Sequence, residues 1–134
     1  MSLSGLLLRF TGIYVALIVG LAVLFALLGT KANSGVNVGA LVGAVFAACM
    51  WFANKNKRYL APSEKRTAFF GMWAIDILLQ VLMAFTVGAA SGTKLPLEPM
   101  LFALGFVGLL HGIAIYFMVA LAGKQYARQV AKGA

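Results

Sequence analysis

Residues 67–87 read TAFFGMWAIDILLQVLMAFTV, an apolar run that carries a single charge, Asp76. Its length matches the ~20 residues a helix needs to cross ~30 Å of hydrocarbon. The run lacks the polar alternation of a barrel strand, and hydrocarbon offers an open backbone no water to bond, so a spanning helix is expected. Working outward, three more runs of the same kind appear, at about Phe10 to Leu28, Val36 to Ala53 and Leu97 to Ala122. The expected fold is therefore all-α. It is an integral membrane four-helix bundle with up-down topology, a single domain over 1–134 with spans near 10–28, 36–53, 67–87 and 97–122.

Composition excludes a water-facing globule. The chain is 63% hydrophobic and only 10% charged, against about 25% charged in ordinary soluble domains. Eleven Lys and Arg against three acidic residues give a net charge of +8. These positives stand at the ends of apolar runs, where they mark topology and headgroup contact. No nucleic-acid-binding motif accompanies them, so no nucleic-acid partner is expected. Cys49 is the only cysteine, which rules out an internal disulfide and a thiolate metal cluster. The first apolar run is long and no A-x-A cleavage site follows it, so it reads as a retained span rather than a signal peptide.

The links are short: Lys31-Ala32-Asn33-Ser34-Gly35, then Asn54 to Arg66, then Ser91 to Pro96. Short links favour antiparallel neighbours. Pro62-Ser63-Glu64 looks like a helix start, with Ser63 as the candidate N-cap and Glu64 in the first turn. Pro96, Glu98 and Pro99 suit the start of the fourth helix. Arg9, Lys55, Lys57, Arg58, Lys65, Arg66, Lys124, Arg128 and Lys132 fall on one side, and only Lys31 and Lys94 on the other. The bias of basic loops toward the cytoplasm then puts both termini inside. Trp51, Phe52, Tyr59, Phe69, Phe70, Trp73 and Tyr126 gather near that same interface, where amphipathic rings settle.

Two features carry candidate function. In the second span Gly35, Gly39, Gly43 and Ala47 recur every four residues, beside a second stripe of Ala40, Ala44 and Ala48. Gly105, Gly108 and Gly112 repeat the theme in the fourth. Smooth flanks let backbones approach closely in lipid, either inside the monomer or against a homodimer mate or another membrane protein. The other feature is polar. Asp76 lies ~15 Å along its helix from Arg66 and so near the bilayer midplane, with Gln80 one turn further on the same face. His111, the only histidine, is also deep, and antiparallel third and fourth helices bring it to a similar depth. An Asp76–His111 pair reads either as a clasp that fixes packing or as a proton or cation relay.

Lys55, Lys57 and Arg58 with Lys65 and Arg66 form a polybasic patch, which enforces topology and attracts anionic headgroups. No G-x-S-x-G, H-E-x-x-H or Walker pattern occurs, and Asp76 with His111 offers too few ligands for a metal. No enzyme activity, cofactor or metal is expected.

Leu8-Arg9-Phe10-Thr11, the Asn33-Ser34-Gly35-Val36 link and Ala61-Pro62-Ser63-Glu64-Lys65-Arg66 resemble a family of small, uncharacterised bacterial inner-membrane proteins with four predicted spans. The resemblance implies a bacterial inner membrane and no particular activity. The first span lacks the early embedded glutamate of small exporters that pair as antiparallel dimers. Three functional expectations follow. The first is a non-enzymatic module that packs against another membrane protein, as an accessory subunit or as immunity to a membrane pore-forming toxin. The second is a small transporter or proton-coupled channel subunit using Asp76 and His111. The third is an anionic-lipid-binding protein.

Overall fold

A computed structural model describes residues 1–29, 34–92 and 96–133. Its four helices are α1 (Leu3–Leu27), α2 (Ser34–Asn56), α3 (Pro62–Ser91) and α4 (Leu97–Gly133), each long and apolar enough to cross a membrane. The helices outrun the apolar stretches: α1 begins seven residues before Phe10, and α4 continues past Ala122 through the basic segment to Gly133. Backbone hydrogen bonding does not stop where hydropathy does. Lys31 and Lys94, and with them much of the first and third links, lie outside the described residues.

Local chemistry sets the ends. Ser2 caps α1, its hydroxyl accepting the Gly5 N–H at 3.2 Å. Gly92, at φ 63°, closes α3 in the left-handed conformation that glycine adopts without steric cost. At the start of α3 the expectation for Ser63 is corrected. The N-cap position belongs to Ala61, and Pro62 occupies the first helical turn. Ala61 has no side-chain acceptor, so Ser63 is inside the helix and the cap works from the other direction. The Glu64 carboxylate reaches back to the Ala61 N–H at 2.8 Å. Glu64 is where the sequence placed it, in the first turn.

Around the bundle the order is α1, α2, α4, α3. The antiparallel pairs α1–α2 and α3–α4 are adjacent. The short link between α2 and α3 crosses a diagonal instead of joining neighbours. Its path is fixed by Tyr59, whose hydroxyl bonds the Val119 carbonyl of α4 and whose ring lies on Gly123. A Cβ at Gly123 would sit 2.7 Å from that ring. Helices α1 and α3 meet at a second such place, where a Cβ on Gly71 would lie 2.8 Å from the Leu7 methyls.

The core is concentrated at the end that carries the basic residues. Leu6, Phe10 and Tyr14 of α1 meet Leu41, Val45 and Phe52 of α2, Met72 of α3, and Ile115 and Val119 of α4, all buried. Ala40, Ala44, Ala48, Ala68 and Ala122 let these helices approach. Beyond Tyr14, Asp76 and His111, toward the opposite end, no large side chain of α1, α3 or α4 is buried among the described residues. The bundle has one dry half and one loosely packed half.

The two stripes of α2 separate accordingly. Ala40, Ala44 and Ala48 are buried, while Gly35, Gly39, Gly43 and Ala47 are exposed. In α4, Gly108 and Gly112 are buried and Gly105 is exposed. Ala44→Leu should therefore overpack the dry half and cost about 1–3 kcal/mol, seen as a lower thermal midpoint in detergent. Gly39→Leu, with nothing within 4 Å of a built Cβ, should leave that midpoint unchanged or raise it. Equal losses in the two variants would mean that α2 is rotated from this placement.

Candidate functional site

Where the dry half ends, side chains of α1, α3 and α4 converge on one carboxylate, and α2 reaches it through one of them. Asp76 of α3 has no exposed surface. Its Oδ1 accepts the Tyr14 hydroxyl of α1 at 2.7 Å. Its Oδ2 accepts the Gln80 amide at 2.6 Å and lies 2.9 Å from His111 Nδ1 of α4. Asn37 of α2 joins through Tyr14, its Oδ1 being 3.2 Å from the same hydroxyl.

Sequence explains each position. Asp76 and Gln80 are four apart and therefore share a helix face. Helices α3 and α4 run antiparallel with Trp73 Nε1 donating to the Gly108 carbonyl at 2.7 Å, and the ring lies close over Gly112. That registry sets His111 opposite Asp76. Parallel α1 brings Tyr14 up on the other side, stacked on Phe10 at 5.5 Å between ring centres.

Proton bookkeeping constrains the roles. A Tyr hydroxyl has one proton, and the shorter contact gives it to Asp76. Exchanging the ends of the Asn37 amide makes Asn37 a donor to the Tyr14 oxygen, an assignment made from the network. One proton must lie between His111 Nδ1 and Asp76 Oδ2. Placing it on Nδ1 gives the carboxylate three donors, from Tyr14, Gln80 and His111, and meets the demand of a buried charge for several hydrogen bonds. The Gln80 amide then sits 3.0 Å from Nδ1 because both donors crowd one oxygen.

Asp76, Gln80 and His111 are thus brought together. Tyr14 and Asn37 were not among the candidates from sequence. Tyrosine is ordinary near a membrane interface, and Asn37 stood only one residue inside an apolar run. No sequence signal singled them out: the structure alone brings Tyr14 and Asn37 to the level of Asp76.

The polybasic patch is gathered at the dry end but is not one unit. Arg58 is taken by Glu64 in a two-pronged ion pair at 2.6 and 2.8 Å. That carboxylate pushes the Arg58 pKa up from its ordinary value. Lys55 and Lys57 are exposed at the end of α2, and Lys65 and Arg66 are exposed on α3. Lys65 rests its ammonium 5.4 Å from the Tyr59 ring centre. Arg9, also at this end, lays its guanidinium 4.2 Å over the Trp51 ring, a cation–π contact between α1 and α2. Among the described residues no three His, Cys, Asp or Glu side chains gather to hold a metal ion.

No family model, no curated protein and no solved structure matches the chain.

Removing the acceptor at the centre of this network should be costly. Asp76→Leu leaves the Tyr14, Gln80 and His111 donors without it, and the expected loss is about 3 kcal/mol. Adding His111→Leu removes one stranded donor, so the double variant should lose at least ~1 kcal/mol less than the sum of the singles. Unfolding in detergent gives all the terms of this cycle, and strict additivity would contradict the network.

Proposed function

We propose that the chain is a multi-pass protein of the bacterial inner membrane with both termini in the cytoplasm, a non-enzymatic module that packs α2 against another membrane protein. Four helices of spanning length and the strong asymmetry of basic residues support the membrane placement and its orientation. The observation that carries the partner reading is the fate of the two stripes. The bundle buries Ala40, Ala44 and Ala48 of α2 and leaves Gly35, Gly39, Gly43 and Ala47 facing outward. Within lipid, a smooth outward flank is the kind of surface on which a further helix packs by close backbone approach. The buried network suits this role, because it holds the presented face rigid. An accessory subunit and an immunity protein against a pore-forming toxin would both use such a face.

A cysteine placed at Gly39 should crosslink in native membranes to one species, and Gly43→Leu on the same flank should abolish the adduct. A cysteine at Leu101, exposed on α4, should give none. An adduct of twice the chain mass would replace the partner by a second copy. No adduct at Gly39 would end the reading.

A second reading, a small proton-coupled transporter, draws on a different observation. Asn37 and Gln80 are half-buried, and Asn37 borders a cavity of about 200 Å³ among Ile18, Leu21 and Met83 in the loosely packed half. The network is thus approachable from one side, while the dry half blocks the other. In liposomes this reading expects a proton flux that Asp76→Asn abolishes. A native protein that moves no protons in either orientation would remove it.

A further inference from the structure

The face formed by α3 and α4 carries a long groove that neither reading uses. Two cavities of about 730 and 640 Å³ adjoin along it, sharing Phe69, Phe70 and Tyr116 as walls. At the dry end the groove is rimmed by Lys65 and Arg66. Away from that end it is wholly apolar and aromatic, running past Trp73 to Leu109. On α4 it extends from Ala120 to Leu109, eleven residues or about 16 Å at ~1.5 Å per residue. That is about half of a ~30 Å hydrocarbon core, the depth of one leaflet.

Charge and shape point to the same occupant. Among the described residues, Lys65 and Arg66 make no ion pair, because Glu64, the acidic residue beside them, is committed to Arg58. The rim therefore offers uncompensated positive charge at the proposed cytoplasmic headgroup level. A ligand filling the groove needs an anionic head, and an apolar tail about one leaflet long. We propose that the α3–α4 groove binds an anionic phospholipid of the cytoplasmic leaflet, its phosphate between Lys65 and Arg66 and an acyl chain along Phe69, Trp73 and Tyr116. The inference rests on membrane insertion but not on the partner reading, which concerns α2.

The two tryptophans make this testable without labels. Trp73 lines the groove, whereas Trp51 is exposed on α2 beneath Arg9, outside the groove, and its quenching serves as the reference for insertion. The full chain, as Trp51→Phe or as Trp73→Phe, is reconstituted in phosphatidylcholine vesicles. These contain equal small fractions of either brominated phosphatidylglycerol or brominated phosphatidylcholine. Trp73 should be quenched more by the anionic lipid, and Lys65→Gln with Arg66→Gln should reduce that preference at least about fivefold, the equivalent of ~1 kcal/mol for a charge near the surface. Lys55→Gln with Lys57→Gln removes as many charges from the same end and should leave the preference in place.

Equal quenching of Trp73 by the two lipids would overturn the proposal, as would equal effects of the two double variants, which mean diffuse attraction. Trp73 shielded from both lipids while Trp51 is quenched would place protein in the groove, and would also overturn it. Quenching of neither tryptophan would overturn membrane insertion itself, and the lipid site with it.

Discussion

The Asp76 carboxylate is buried completely, and a charge in that position persists only where donors replace the water it has lost. Tyr14, Gln80 and His111 supply them. Each bond is directional, so the carboxylate fixes the rotation of α3 and the height of α1 and α4 against it. Apolar contacts cannot do this alone in the hydrocarbon setting we propose. Lipid tails are as apolar as leucine, and one helix rotation exposes much the same surface as another. A single polar centre, bonded directly by α1, α3 and α4 and through Tyr14 by α2, distinguishes one arrangement from its alternatives.

Small residues make that arrangement reachable. The alanines of α2 and Gly108 and Gly112 of α4 remove the bulk that would hold the helices apart around the network. On the far side of it large apolar side chains face outward, among them Val19, Val23, Leu82, Phe85 and Phe102. The outward glycines of α2 and the aromatic groove of α3 and α4 are two different outer surfaces of this bundle. One is a smooth face suited to a helix, and the other a furrow with a charged rim suited to a lipid.

Much of this was legible from residues alone. Four runs of spanning length correspond to four helices, as the proposed hydrocarbon setting demands of a backbone that must satisfy itself within each segment. Asp76, Gln80 and His111 stood out because ionisable and amide groups are rare at that depth. The inward face of α2 was not legible. Its two small-residue stripes are one position apart, and a run that is apolar all round lacks the contrast between polar and apolar faces that orients a soluble helix. The companions Leu41, Val45 and Phe52, which are larger and buried, decide in favour of the alanine side. The diagonal placement of α2 and α3 was hidden for a related reason. It depends on Tyr59 finding the Val119 carbonyl and the bare backbone of Gly123, contacts that no spacing rule encodes. The cap of α3 was misassigned to Ser63 because the strongest side-chain capper in the segment is not the residue at the cap.

The presence of one histidine makes the central claim open to direct measurement. Nitrogen-15 spectra of the ring in the lipid-embedded protein report which nitrogen holds a proton and what that proton bonds. Nδ1 of His111 should be protonated and strongly hydrogen-bonded, and its signal should move in Asp76→Leu. A bare Nδ1, or a signal indifferent to the loss of Asp76, would show that the four helices are not organised around this carboxylate.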